Sequence, residues 1–246
     1  MTQLVFIHGP GAGGCADAWT HQLKKFPGSV APTLPDLPGA SNRADVTRYM
    51  EWVRGWLAAR DMREDLLLVG YTLGAAIALQ FALDYPRAVK GLVLSAVSVA
   101  PRAEARSGLL DSCLQAATGD AAAVEKWLDF HRQITTWVAP ELRAHLLAKQ
   151  LQVGPMSQHR MLLAIYGFDV RERIEALRTP LLLIRGADDV LNPPPVEREL
   201  HEKIAGSRFV SLPQAGHFPA TERPDEVNRM IVEFIAEIDR GRAQSG

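Results

Sequence analysis

Short apolar runs alternate along this chain with stretches whose apolar residues recur at helical spacing. Leu4-Val5-Phe6-Ile7, Ser29 to Leu34, Leu66-Leu67-Leu68-Val69, Gly91-Leu92-Val93-Leu94-Ser95, Pro180-Leu181-Leu182-Leu183-Ile184 and Ser207-Arg208-Phe209-Val210-Ser211-Leu212 read as six strands. Trp19, Leu23 and Phe26 share a helical face that Asp17 is placed to cap. Val46, Tyr49, Trp52, Val53, Trp56 and Leu57 stripe a helix over residues 45–60, further helices begin near Val196 and Asp225, and such stripes usually face a core. Strand and helix in regular alternation predict an α/β fold: a doubly wound parallel sheet covered on both faces, with chemistry at the carboxyl ends of its strands.

The alternation lapses between Pro101 and about Gly167. Helical stretches there carry Leu109, Leu110, Leu114, Trp127, Phe130, Trp137, Leu142, Leu146, Met161 and Leu162, with no strand-like run. We read residues 102–167 as an inserted helical lid, and 1–101 with 168–246 as one core domain.

One stretch organises the rest. Leu66-Leu67-Leu68-Val69-Gly70-Tyr71-Thr72-Leu73-Gly74-Ala75-Ala76 is a buried strand, a sharp turn and an alanine-rich helix that ends at Asp84-Tyr85-Pro86. Its G-x-T-x-G pattern is one methyl group away from the G-x-S-x-G nucleophile elbow, where a strained turn pushes a hydroxyl clear of the backbone. Gly70 and Gly74 leave room for strand and helix to approach. A tight turn with glycines for packing explains the stretch equally well when it is taken alone.

A length of 246 residues suits one α/β domain, and a net charge of −1 with scattered basic residues points away from nucleic acid and anionic membranes, toward a small-molecule partner. Cys15 and Cys113 are too few for a disulfide framework and lack metal-site spacing, which fits free thiols in a reducing compartment. With no leader-like or membrane-spanning run, the sequence reads as cytoplasmic. The glycine-rich loop His8-Gly9-Pro10-Gly11-Ala12-Gly13-Gly14 closes with no Gly-Lys-Ser/Thr and does not fit G-x-G-x-x-G, so neither a cofactor nor a metal is expected.

Two further segments end at the same sheet edge. Gly186-Ala187-Asp188-Asp189-Val190-Leu191-Asn192-Pro193 follows the fifth strand, and Gln214-Ala215-Gly216-His217-Phe218-Pro219 follows the sixth. Thr72, Asp189 and His217 thus come in the order hydroxyl, acid, histidine, each just past a strand. With these residues in view, the chain resembles an α/β-hydrolase from end to end. His8-Gly9 resembles the oxyanion loop of that family, Asp36-Leu37-Pro38-Gly39 its loop after the next strand, Gly186 to Pro193 its acid loop, and Gly216-His217 with Glu222-Arg223-Pro224 its histidine segment. The resemblance implies six parallel strands in the order 2-1-3-4-5-6, as in small plant esterases and hydroxynitrile lyases.

It also implies roles. His217 takes the Thr72 proton during attack and returns it to the leaving group, while Asp189 holds its tautomer. Asp188 is the rival acid, and spacing to Pro193 favours Asp189. His8 is expected to orient its loop by hydrogen bonds, and His21, His131, His145, His159 and His201 to be solvated or packed. Leu73 N–H is an expected oxyanion donor, with Gly11 a substitute for a second; Tyr71, Trp127, Trp137 and Phe218 are candidate substrate contacts.

Two departures meet at this site. A β-branched residue at an elbow with φ above zero is strained by about 1–3 kcal/mol. Pro10 has no N–H where the second oxyanion donor belongs, a loss that typically costs about 3 kcal/mol of transition-state stabilisation. The leading expectation is hydrolysis of a small carboxylic ester, thioester or related acyl substrate through Thr72, His217 and Asp189. The alternatives are a cofactor-free lyase-type reaction run by His217, or a non-catalytic ligand-binding protein on a hydrolase scaffold. Thr72 as an engineered change also stays open.

Overall fold

The computed structural model describes residues 2–37, 45–97, 99, 107–192 and 195–245. Five strands, β1 (Gln3–Ile7), β2 (Leu66–Tyr71), β3 (Val89–Ser95), β4 (Leu181–Gly186) and β5 (Arg208–Leu212), form a parallel sheet in the order β1-β2-β3-β4-β5.

The expected six-stranded sheet is corrected here to five. The segment from Ser29 to Leu34 reaches β1 through one bridge, Val5 to Val30, in which Phe6 N–H donates to Val30 O and Val30 N–H to Leu4 O. Pro32 has no N–H for a ladder, and Leu34 N–H is used by the His8 ring, 2.8 Å away, so pairing stops after the bridge. The bridge lies beside β1, where the missing strand was expected.

Successive side chains of each strand feed two cores, because residues alternate across a pleated strand. Val5, Ile7, Leu66, Leu68, Leu92, Leu94, Leu181 and Leu183 pack with α2 (Asp45–Ala58), α3 (Leu73–Asp84) and α8 (Pro195–Lys203). Phe6, Leu67, Val69, Val93, Leu182 and Ile184 face the opposite way, onto a short 3-10 helix at Ala16–Trp19 and the long α10 (Pro224–Ser245). A short α1 (Thr20–Lys25) lies beside α10.

Between β3 and β4 the described residues form four α-helices, α4 (Ser107–Ala116), α5 (Ala121–Ile134), α6 (Pro140–Val153) and α7 (Pro155–Gly167). Asp120 caps α5 by accepting from Ala123 N–H at 2.9 Å. Met161 and Ala164 join one main core while Ile134, Val138 and Leu146 join the other, so the helices are packed onto the sheet domain. Polar ties add to this: Arg160 pairs with Asp36, His145 with Asp17, and Gln150 donates to Pro10 O at 3.2 Å. Of the expected insert, residues 102–106 lie outside the described residues, as do Pro38, Gly39 and Pro193 of the quoted loops. No described helix is long and apolar enough to cross a membrane.

Candidate active site

Thr72 stands between β2 and α3 with φ 49° and ψ −114°, the positive-φ turn that the G-x-T-x-G pattern predicts. The glycines are there for close approach. A Cβ at Gly74 would stand 2.0 Å from Ile7 O, and one at Gly70 2.5 Å from the Gly74 carbonyl carbon, distances no side chain survives. Thr72 N–H donates to Ser95 O and Thr72 O accepts from Ala76 N–H, so the strained residue is held from both sides.

The His217 and Asp189 loops are joined by their own backbones. Ala187 N–H donates to Leu212 O and Asp188 N–H to Ala215 O, each at 2.9 Å. Gly186 allows this, since a Cβ there would lie 1.9 Å from Gly216 O. The result is a direct bond: His217 Nδ1–H donates to Asp189 Oδ2 at 2.9 Å, with both side chains buried. Asp189 Oδ1 accepts from the N–H groups of Leu191 (2.8 Å) and Asn192 (3.2 Å). Burial opposes the charge on Asp189, but His217 beside it and these hydrogen bonds outweigh that and hold its pKa below the usual carboxylate value. Asp188 is exposed and contributes its backbone, and of the two acids it is Asp189 whose carboxylate meets the histidine.

The hydroxyl is not yet part of this pair. Thr72 Oγ1 is buried and has no hydrogen-bond partner among the described residues. It lies against the glycine-rich loop after β1, where a Cβ on Gly9 would come within 1.7 Å of it. In that loop His8 is buried and plays the orienting part expected of it. Leu34 N–H donates to Nε2, which leaves Nδ1–H to donate to Gly9 O at 2.9 Å, and burial lowers the ring pKa to about 4 against that hydrogen bond. Leu73 N–H is at the first position of α3, where backbone donors have no partner within the helix. Pro10 supplies only its carbonyl, which Gln150 occupies; Gly11 O accepts from Tyr71 Oη at 3.2 Å.

The aromatic candidates separate. Trp127 is a correction: it is fully buried between α4, α5 and α7, beside Cys113, Ala116 and Leu162, and its Nε1–H donates to Gln158. Tyr71 and Phe218 are also buried, packed edge to face at 5.3 Å under Gly11, whose added Cβ would meet the Phe218 ring at 2.8 Å. They shape the loops more than they offer surface. Trp137 differs, being 45% exposed and next to Gly216 beside the histidine.

Glu222, quoted above with Arg223-Pro224 in the histidine segment, takes a part that its place on the helix does not announce. It ends the short helix α9 (Pro219–Glu222), where an acid reads as an ordinary first-turn residue. Its carboxylate instead reaches back to accept from Gly216 N–H (2.5 Å) and Phe218 N–H (3.4 Å), bracing His217 on both flanks. Among the described residues no cluster of three or more His, Cys, Asp or Glu side chains is placed to hold a metal ion.

The comparisons agree with this architecture. A model of the alpha/beta hydrolase family matches residues 4–230. The chain is 28% identical over 254 residues to the pimeloyl-[acyl-carrier protein] methyl ester esterase of Aeromonas hydrophila, with 94% of each chain covered. The fold matches a thermophilic esterase from Thermogutta terrifontis with a TM-score of 0.81 at 21% identity, covering 97% of this chain and 90% of that one. It also matches an enol-lactonase from Burkholderia xenovorans LB400 with a TM-score of 0.78 at 17% identity, covering 96% and 92%. With a positive-φ elbow, an acid and a histidine in family order and a family match along nearly its whole length, this chain belongs to the α/β hydrolase family.

Proposed function

We propose that the protein hydrolyses a small carboxylic ester, thioester or related acyl compound, with Thr72 as nucleophile, His217 as acid and base, and Asp189 as its partner. The observation that carries this reading is the buried 2.9 Å Asp189–His217 hydrogen bond at the sheet edge that also holds the Thr72 elbow. The esterase named for the Aeromonas relative fits the same reaction class.

The chemistry follows from the groups present. Rotation of Thr72 about Cα–Cβ swings the hydroxyl from Gly9 toward His217, whose Nε2 takes its proton as Oγ1 attacks the acyl carbon. Charge develops on the carbonyl oxygen, where Leu73 N–H at the start of α3 is the available donor. Collapse of the tetrahedral adduct breaks the bond to the alkoxide or thiolate, which leaves with the proton from His217. Water then repeats the sequence on the acyl-threonine. Asp189 keeps the ring in the tautomer that presents Nε2 as base and balances the imidazolium.

The unpartnered Thr72 hydroxyl favours one second reading: a cofactor-free, lyase-type reaction in which His217 moves protons and Thr72 only hydrogen-bonds the substrate. In both readings α4 to α7 act as a lid, with Trp137 as a substrate contact near the histidine. Two buried free cysteines support a reducing, cytoplasmic setting. A panel of acyl esters and thioesters of increasing chain length, followed by product release and by intact-protein mass, tests the proposal. Turnover that is lost in His217→Gln supports it, and turnover that survives that change refutes it.

A further inference from the structure

Arg185, next to last in β4, and Glu197 in α8 form an ion pair inside the protein, Nη1 to Oε2 at 3.0 Å, with side chains 4% and 0% exposed. The same guanidinium reaches further. Its Nη2 donates to Asn192 O at 2.8 Å and to Asp189 O at 3.3 Å. Those carbonyls mark the two ends of the turn whose N–H groups, at Leu191 and Asn192, hold Asp189 Oδ1. The turn is therefore clamped twice, by the carboxylate on its donors and by the guanidinium on its acceptors.

Stability alone does not account for this pair. Burial pushes the Glu197 pKa up even with Arg185 opposite it, and apolar side chains of similar volume would escape that desolvation penalty. What apolar side chains cannot do is donate to two carbonyls three residues apart in chain order, those of Asp189 and Asn192. A planar fork of fixed N–H groups can. Glu197 supplies the neutralising charge from a separate helix, so the guanidinium is anchored on the far side from the loop.

We propose that Arg185, neutralised by Glu197, is a positioning residue for the catalytic acid: it fixes the turn 189–192 so that Asp189 Oδ2 meets His217 Nδ1 at hydrogen-bond distance. The proposal rests on the reading of Asp189 and His217 as the proton-handling pair. It does not depend on whether Thr72 forms a covalent adduct.

The test is the double variant Arg185→Met with Glu197→Leu, assayed with p-nitrophenyl acetate and by low-field proton NMR of the His217 Nδ1–H, identified by its loss in His217→Gln. The variant should unfold cooperatively at close to the original temperature, since replacing both partners removes the buried charges together. Its kcat should fall about 100-fold with KM nearly unchanged, the effect of a catalytic group misplaced by about 1 Å. The low-field resonance should broaden or vanish. Original kcat with the resonance intact would overturn the proposal, as would absence of the resonance from the unaltered protein, which would leave no fixed pair to position. If the double variant does not fold, Arg185→Lys keeps the charge but not the fork; it should lose about tenfold in kcat and shift the resonance, and no change in either overturns the proposal. If the unaltered protein leaves the ester untouched, the hydrolase reading fails and the resonance alone decides the positioning role.

Discussion

Replacing Glu222 by glutamine should change how stability depends on pH, by an amount that its surroundings set. The carboxyl is 8% exposed and takes hydrogen bonds from Gly216 and Phe218. Burial lifts its pKa from an ordinary 4.5 to about 7, against the pull of those two N–H groups and of His217. Because the folded value is the raised one, the unfolded chain releases this proton more readily. The carboxyl thus adds stability that is complete below pH 4.5 and is lost as pH rises through 7. At about 1.4 kcal/mol per pH unit, that interval amounts to about 3 kcal/mol. Glu222→Gln cannot ionise; the N–H group it leaves badly paired costs the same at every pH and drops out of the comparison. Urea unfolding of both proteins at pH 4.5, 6, 7 and 8 gives the difference directly. The stability of the unaltered protein relative to Glu222→Gln should fall by about 3 kcal/mol over that range, most of it before pH 7. A difference that stays flat would refute the reasoning.

Other expected outcomes concern the site and the insert. Asp189→Asn should lower turnover by several orders of magnitude with the fold intact, because the histidine loses the partner that fixes its tautomer, whereas Asp188→Asn should do little; equal losses in a steady-state assay would undo the assignment. Gly9→Ala puts a methyl group 1.7 Å from Thr72 Oγ1, so activity should be abolished and thermal stability lowered, and an active, stable variant would show that the loop yields. Cleavage at an engineered protease site in the exposed turn at Thr118-Gly119, between α4 and α5, should preserve the far-ultraviolet dichroism of the sheet domain while changing preference among acyl chain lengths. Global unfolding on nicking would show that the sheet domain depends on these helices for its own stability.

Much of the site was legible because its constraints are local. Gly70 and Gly74 flank Thr72, and the structure shows backbone standing where their side chains would be. Spacing to Pro193 separates Asp189 from Asp188 in the sequence, and in the structure the first is buried against His217 while the second is exposed. The run from Ser29 to Leu34 reads as a strand by its hydrophobicity yet forms a single bridge, because Pro32 removes a donor that a ladder needs. Trp127 differs for another reason: a helical stripe reports burial but not which interior receives the side chain, and here it is the small cluster between α4, α5 and α7. Glu222 and Arg185 act on backbone groups of neighbouring loops, geometry that exists only once β4, β5 and α9 are assembled. The direction of the Thr72 hydroxyl was likewise beyond the pattern, since a motif fixes the residue but not its rotamer.

The Thr72 hydroxyl decides between covalent and non-covalent chemistry at this site. The unaltered protein, Thr72→Ser and Thr72→Ala can be mixed with p-nitrophenyl acetate, quenched at short times and weighed intact while nitrophenolate release is followed. With Thr72 as nucleophile, serine relieves the crowding at a positive-φ elbow, so Thr72→Ser should turn over faster and accumulate an acetyl adduct on the peptide that carries residue 72. Thr72→Ala should show neither adduct nor turnover. Undiminished hydrolysis by Thr72→Ala would contradict the nucleophile assignment and leave His217 to act on a substrate that the threonine merely holds.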